Sequence, residues 1–313
     1  MGKNVSKSSL ARANQDRDYH IFEEYAYYLV SEARQKCANH IFKLGGNVYA
    51  FDSTTIDLCL SVFWWAKSRK KKGGIKVHTL YDVETQIPAF FHITEASVHD
   101  SKVMIEIPYE PSSYYIFDRG YSNFKMLYKI HQIEAYFVVR AKKNLGYKSI
   151  QWKRRLPKNV LSDASVLLTG FYPKQYYPEP LRLVKYWDEE QEREFIFITN
   201  AMHISALQVA ELYKNRWQVE LFFKWLKQHL KIKRFWGTTE NAVRIQIYAA
   251  ICAYCLVAII QHDMQLDRST YEVLQILSIS LTDKTYLRDL FNKTKFQNDK
   301  ERFGPNGPSL FNF

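Results

Sequence analysis

A segment near the middle of the chain carries four polar side chains at spacings that bring them together on one face of a helix. They are Tyr213, Arg216, Glu220 and Lys227. At 100° per residue these side chains fall within an arc roughly 60° wide, and Lys224 borders it. Most of the remaining circumference is apolar, the reverse of an ordinary surface helix. The pattern predicts one largely buried helix over 213–227, with a polar seam that faces a cleft or a ligand.

The chemistry of this polar seam has two interpretations. Arg216 and Glu220 are four residues apart, the spacing of an ordinary ion pair on a core helix with one solvated edge. Alternatively, Glu220 binds a metal ion, because Mg²⁺ is commonly held by a few carboxylates together with substrate phosphates. Periodicity alone leaves both interpretations open.

Two aspartates earlier in the chain share this ambiguity. Asp52 interrupts an alternating, strand-prone run over 47–60. A carboxylate inside an apolar run is costly unless it is ionised against a partner. Asp52 is therefore either a metal ligand or catalytic acid, or a capping residue at a strand end. Asp118 follows the short apolar run 114–117, a position used both for chemistry and for turns in α/β sheets.

The secondary-structure pattern places these three acids in a definite order. Asp52 lies in the first predicted strand, Asp118 follows the fourth, and Glu220 lies in a late helix. We predict an α/β fold: a ribonuclease H-like mixed sheet flanked by helices, with a β-rich insertion before the final catalytic helix. In that order the first and fourth strands are central neighbours and the late helix lies across them. The predicted segments are a short helical N-terminal segment (1–45), the first part of the catalytic core (46–140), the insertion (141–200), the second part of the core (201–265) and a C-terminal helical segment with a tail (266–313).

Composition favours a polyanionic partner. The formal net charge is +12 and the pI about 9.3, a balance typical of proteins that bind nucleic acid. Basic residues cluster over 67–76 and 140–158, and Trp152 lies within the second cluster. Four cysteines imply no disulfide framework, and a reducing bacterial cytoplasm fits. The apolar run 245–260 is shorter than a membrane span and predicts a buried helix.

The motif residues resemble a known family. The spacing Tyr213-x2-Arg216-x3-Glu220-x6-Lys227 is similar to the YREK signature of DDE transposases of the insertion sequence 4 family. Four further segments resemble that family's blocks around its two catalytic aspartates, and the resemblance covers about residues 45–265. These segments are Phe51-Asp52-Ser53-Thr54-Thr55-Ile56, Lys76-x-His78, Ala96-x2-His99-Asp100 and Phe117-Asp118-Arg119-Gly120-Tyr121. Asp100 or Ser101 is also a reasonable helix N-cap.

The resemblance implies a site and a reaction. Asp52, Asp118 and Glu220 become a metal-binding DDE triad that holds two Mg²⁺ ions, with Mn²⁺ tolerated. The implied reaction nicks the transposon ends and transfers the freed 3′-OH into target DNA. The implied partners are double-stranded DNA, at the end inverted repeats and the target, and a second copy of the chain in a synaptic homodimer.

The resemblance also assigns DNA-binding residues. Tyr213, Arg216 and Lys227 would hold phosphates near the transposon end, and Lys224 is grouped with them. Relatives use a tryptophan of the insertion to receive a flipped base, so Trp187 and Trp152 are candidates, with hydrophobic core as the alternative for each.

One departure leaves the activity open. Members of this family usually have a longer segment before the first catalytic strand, whereas about 45 residues precede it here. A shortened, inactive DNA-binding relic is therefore the alternative to an active transposase. A nuclease of the same fold that never joins DNA is a third interpretation.

Overall fold

The structure is a computed structural model that describes residues 6–38, 41–58, 61–66, 73–229, 235–268, 270–280 and 284–293. The basic cluster predicted over 67–76 lies outside these residues except for its last four positions, which belong to a strand. Two compact units divide the chain, Met1–Leu256 and Val257–Phe313.

The first unit is built on one nine-stranded mixed sheet, counted over the described residues, with strand order β3-β2-β1-β4-β5-β9-β8-β7-β6. β1 pairs in parallel with β4, and β4 with β5, while the other neighbours pair antiparallel. The strands are β1 Val48–Leu58, β2 Gly73–Asp82, β3 Ile87–Glu95, β4 Tyr114–Phe117, β5 Tyr136–Arg140, β6 Tyr147–Trp152, β7 Val160–Leu168, β8 Leu181–Asp188 and β9 Arg193–Thr199.

Helices flank this sheet. The α-helices are α1 Lys7–Asp16, α2 His20–Lys36, α3 Phe124–Gln132, α4 Phe171–Tyr176, α5 Ala206–Lys214, α6 Trp217–His229 and α7 Glu240–Met264, followed in the second unit by α8 Thr270–Ser280 and α9 Leu287–Lys293. Two short 3-10 helices, Asp100–Glu106 and Arg119–Tyr121, stand on either side of β4. The prediction of a mixed α/β sheet flanked by helices is confirmed.

The centre of the sheet is apolar because its strands are buried on both faces. All four residues of β4 are buried, and so are the first four of β1. One core cluster includes Phe51, Phe117 and Tyr121, and Tyr121 packs edge-on against Phe51. On another part of the sheet, the α6 residue Phe222 lies against Tyr81 of β2. These contacts fix α6 beside β1 and β2.

The residues predicted as a β-rich insertion are rich in strands. Their strands continue the central sheet, because β9 pairs directly with β5. A buried ion pair stabilises this extension: the Arg182 guanidinium donates two hydrogen bonds of 2.8 Å to the Asp163 carboxylate. Arg182 also donates to the carbonyls of Ala201 and Ile204, just before α5.

One described helix, α7, is long and apolar enough to cross a membrane by length and composition. Of its apolar window, 56% is buried inside the protein, as in a core helix.

Candidate active site

The two aspartates meet because of the register between β1 and β4. Phe51 pairs with Phe117 in this parallel ladder, so the next residues, Asp52 and Asp118, lie side by side. Asp52 remains within β1, which continues to Leu58, and Asp118 is the first residue after β4. The predicted adjacency of the first and fourth strands is confirmed.

The polar seam is divided between two helices, so the prediction of one continuous helix over 213–227 is wrong. α5 begins with a capping box between Ser205 and Gln208 and ends at Lys214, and α6 begins at Trp217. At the junction the hydrogen bonds tighten to three-residue spacing: Arg216 N donates to Tyr213 O at 3.0 Å. The division leaves Tyr213 in α5, Arg216 at the junction and Glu220 in α6.

The side chains of the seam contact all three acids. The Tyr213 hydroxyl donates to Asp118 Oδ1 at 3.1 Å. Arg216 donates from Nη1 to Asp52 Oδ2 at 2.8 Å and from Nη2 to Glu220 Oε1 at 2.5 Å. The Arg216 guanidinium also lies over the Tyr213 ring, 5.8 Å from its centroid. One arginine and one tyrosine therefore join the three carboxylates into a single polar cluster.

Arg216 and Tyr213 both bind carboxylates in this structure. Their contact with DNA phosphates, which the resemblance implied, stays a prediction. The Arg216–Glu220 ion pair of the first interpretation is present, and the same guanidinium also pairs with Asp52.

Burial perturbs the acid at the centre of the cluster. The pKa of Asp52 is raised to about 6, chiefly by burial; Arg216 and the Ser53 backbone N–H lower it, whereas the nearby charges of Glu220 and Asp118 raise it. Burial also raises the pKa of Tyr213 to about 12, so its hydroxyl remains a donor at neutral pH.

Two further residues reach Asp52 that the motif spacing did not single out. The Ser53 backbone N–H donates to Asp52 Oδ1 at 2.8 Å, and the Tyr121 hydroxyl lies 3.5 Å from the same oxygen. The Ser53 hydroxyl donates to Asp100 Oδ1 at 2.9 Å, and Asp100 pairs with Lys76 at 2.9 Å. Asp100 is not an N-cap, because His99 caps that 3-10 helix by accepting from Ser101 N. Lys76 and Asp100 both lie in segments that resemble the family's blocks, so the sequence indicated these two residues but not their contact with each other or with Ser53.

The other predicted DNA-binding residues are exposed or half-buried. Lys224 is exposed and Lys227 half-buried on α6. Trp187, at the end of β8, is 39% exposed, and Trp152, on the outermost strand β6, is 62% exposed. The hydrophobic-core alternative is therefore wrong for both tryptophans.

The donor chemistry of the cluster fits a hard divalent cation. The site and its surroundings contain four carboxylates (Asp52, Asp100, Asp118 and Glu220) and the two cations that pair with them (Lys76 and Arg216), so these six side chains carry a formal charge of minus two. All the acidic donors are oxygens, the ligands that Mg²⁺ prefers. Within the described part of the chain, no three His, Cys, Asp or Glu side chains form a ready-made metal site. Arg216 lies between two of the acids instead.

These features define a mixed α/β protein with an acidic site beside two central parallel strands. A family model described as the transposase DDE domain matches residues 43–256, and the chain belongs to that family.

Similar proteins agree with this membership. A putative transposase, y4zB, of Sinorhizobium fredii is 36% identical over 246 residues, covering 76% of this chain and 67% of the relative. A probable transposase for insertion sequence element IS5377 of Geobacillus stearothermophilus is 27% identical, covering 80% of this chain and 66% of the relative. A putative transposase for insertion sequence element IS4SA of Synechocystis is 24% identical, with coverages of 92% and 83%. The chain thus spans about two thirds of the length of the first two relatives.

A solved structure, a cryo-EM structure of the piggyBac transposase synaptic complex with hairpin DNA, is similar with a TM-score of 0.45 and 12% identity. It covers 83% of this chain, and this chain covers 58% of it.

Proposed function

We propose that the chain is a DNA transposase of the insertion sequence 4 family, with a ribonuclease H-like catalytic core. It nicks DNA at transposon ends and transfers the 3′-OH into target DNA. The observation that carries this proposal is the convergence of Asp52, Asp118 and Glu220, which are far apart in sequence, on the side chains of Tyr213 and Arg216. A cluster of like charges of this kind is costly, so its presence points to a cationic ligand.

Asp52, Asp118 and Glu220 are the residues that would hold the divalent metal, Mg²⁺ or Mn²⁺, with two ions per site. When bound, these ions activate the attacking oxygen and stabilise the leaving oxygen of a phosphodiester. Glu220 is the adaptable member, because its side chain is 53% exposed, whereas that of Asp52 is 21% exposed.

The seam supplies the donors for the DNA phosphate. Among the described residues, Nε of Arg216 is buried and has no hydrogen-bond partner. Arginine binds phosphate through paired N–H donors, so Nε and one Nη can serve a phosphate when the guanidinium leaves a carboxylate. Lys224 and Lys227 follow on the same helix as point charges, and the net charge of +12 favours double-stranded DNA as the partner. Trp187 and Trp152 offer exposed rings for an unstacked base. A synaptic homodimer would bring two transposon ends together.

The test is cleavage of labelled DNA that carries the element's own terminal inverted repeats, with Mg²⁺ or Mn²⁺. Asp52→Asn, Asp118→Asn and Glu220→Gln should each abolish nicking while DNA binding remains measurable. Glu240→Gln is the matched control for the α6 variant, because Glu240, like Glu220, pairs with an arginine four residues away on a helix. It should cut at the wild-type rate.

Each alternative has its own outcome. A wild-type rate in any of the three acid variants would refute the triad. A wild-type chain that binds DNA with steep salt dependence but never cuts would be a relic. Cuts without joining of the 3′-OH would identify a nuclease.

A further inference from the structure

Asp100 anchors the strand that carries Asp52 from the opposite face of the sheet. Successive side chains of a strand point to opposite faces, so Ser53 points away from the Asp52 side. The Ser53 hydroxyl donates to Asp100 Oδ1 at 2.9 Å. The backbone N–H of the same residue donates to Asp52 Oδ1 at 2.8 Å. Ser53 therefore links Asp100 to the Asp52 carboxylate through two hydrogen bonds.

Lys76 holds Asp100 in place, and His78 lies beside it. Lys76 Nζ donates to Asp100 Oδ1 at 2.9 Å and to the Val98 carbonyl at 2.8 Å, which ties β2 to the residues before the 3-10 helix. His78 pairs with Ser53 across the ladder, is fully buried, and has Nδ1 3.9 Å from Asp100 Oδ1. Burial lowers the pKa of His78 to about 4, so this ring is neutral at pH 7. Lys76 thus supplies the charge that balances Asp100.

Tyr121 also contacts the Asp52 carboxylate. Its ring packs on Phe51, and its hydroxyl lies 3.5 Å from Asp52 Oδ1. Oδ1 of Asp52 is therefore approached by Ser53 and Tyr121, while Oδ2 is bound by Arg216. A carboxylate held on both oxygens has little freedom to rotate.

We propose that Asp100 is a positioning residue, acting through Ser53 to fix the orientation of the Asp52 carboxylate for cation binding. The inference rests on the proposed function, because it takes Asp52 as a metal ligand. Loss of a residue that orients a metal ligand commonly costs about 10- to 100-fold in metal affinity or activity.

The experiment measures two quantities on the full-length chain: Mn²⁺ affinity without DNA, from the electron paramagnetic resonance signal of free Mn²⁺, and the nicking rate. Ser53→Ala and Asp100→Ala should each weaken Mn²⁺ binding and nicking about 10- to 100-fold. The double variant should be no worse than the more affected single variant, because both changes remove the same hydrogen bond. Ser53→Thr, which keeps the hydroxyl, should recover most of the loss.

Two controls separate positioning from folding. Ser97→Ala removes a hydroxyl that donates to the exposed Glu95 at 3.3 Å, and it should change neither readout. The double variant Lys76→Met, Asp100→Ala removes both charges of the ion pair. Its melting temperature should therefore be closer to that of the wild type than the melting temperature of Asp100→Ala alone. Its Mn²⁺ affinity should stay low.

Specific outcomes overturn the proposal. Multiplicative losses in the Ser53→Ala, Asp100→Ala double variant would show that the two residues act independently. If the double variant Lys76→Met, Asp100→Ala recovered both stability and Mn²⁺ affinity, Asp100 would have only a structural role. A wild-type chain that binds Mn²⁺ but does not nick would refute the proposed function, and the Mn²⁺ affinities would still decide the role of Asp100. A wild-type chain that binds no Mn²⁺ would overturn both.

Discussion

Replacing Arg216 by glutamine should destabilise the protein more than its position at the junction of two helices suggests. Glutamine keeps much of the side-chain length but removes the positive charge. The change leaves the Asp52 carboxylate without the guanidinium that binds its Oδ2, while Glu220 and Asp118 remain as neighbouring negative charges. In the resting protein Arg216 therefore acts as an internal cation for the acidic cluster.

The magnitude follows from comparing two arginine–glutamate pairs. Arg216–Glu220 and Arg244–Glu240 are both spaced i, i+4, with side-chain exposures of 18% and 53% against 21% and 54%. An exposed helix pair of this kind contributes about 0.3–0.5 kcal/mol. Arg216 additionally donates to the largely buried Asp52 carboxylate, and a hydrogen bond to a charged group contributes about 1.5–3 kcal/mol. We expect Arg216→Gln to lower the free energy of unfolding by about 2–3 kcal/mol and Arg244→Gln by less than about 1 kcal/mol.

Divalent cations should reverse part of this loss. A ligand at a hundred times its dissociation constant stabilises the folded state by about 2.7 kcal/mol. In the wild type the cation competes with the guanidinium for Asp52 and Glu220, whereas in Arg216→Gln the carboxylates are free to bind it. Saturating Mg²⁺ should therefore stabilise Arg216→Gln more than the wild type.

The assay is urea unfolding followed by tryptophan fluorescence, with and without MgCl₂, for wild type, Arg216→Gln and Arg244→Gln. Arg244→Gln is a close control because its guanidinium also lies over a tyrosine ring, 5.1 Å from the centroid of Tyr19. Equal losses in the two variants, or equal Mg²⁺ increments in all three proteins, would refute the role of Arg216 as an internal cation.

Two other buried titratable side chains, His78 and Asp163, give further predictions. The pKa of His78 is about 4 in the native chain and about 6.5 in the unfolded chain. Between these pH values His78 is protonated in the unfolded chain and neutral in the native chain. Stability should fall as pH falls through this window, by up to about 1.4 kcal/mol per pH unit, and the slope should flatten in His78→Gln when unfolding is measured at pH 7, 6 and 5. Asp163→Ala leaves the buried Arg182 unpaired and should cost about 3–5 kcal/mol. The exposed Lys158–Glu189 pair is its control, because Glu189→Ala should cost less than about 1 kcal/mol by the same unfolding assay.

The central strands could be predicted because they are rich in apolar residues and separated by polar turns. Alternation through Val48–Leu58 and the apolar run ending at Phe117 identified β1 and β4, and the element order made them neighbours. The extension of the same sheet by β6–β9 was not predictable in this way. Which strand pairs with β5 is decided by long-range packing, including the buried Asp163–Arg182 pair, and local periodicity carries no information about it.

The strand order predicts that Asp52, Asp118 and Glu220 lie close together. It does not predict that Tyr213 and Arg216 bind their carboxylates. Helical periodicity assumes a constant 100° per residue, and that assumption fails where three-residue hydrogen bonds divide α5 from α6 at Arg216. The local pattern predicts Asp100 or Ser101 as a helix cap, whereas His99 is the cap and Asp100 accepts hydrogen bonds from Ser53 and Lys76. Local patterns assign a residue its commonest role, and three-dimensional proximity changes that role.

The two sequence interpretations of Glu220, an ordinary ion pair and a member of an acidic cluster, are parts of one arrangement. Arg216 forms the ion pair with Glu220 and simultaneously pairs with Asp52, so one guanidinium offsets the repulsion between these two acids. Because the four carboxylates retain a formal charge of minus two after Arg216 and Lys76 are counted, the site still favours a divalent cation. If the proposed function holds, binding of that cation would free the guanidinium for a DNA phosphate. The same charge exchange would therefore couple metal binding to DNA binding: Arg216→Gln should strengthen the first and weaken the second.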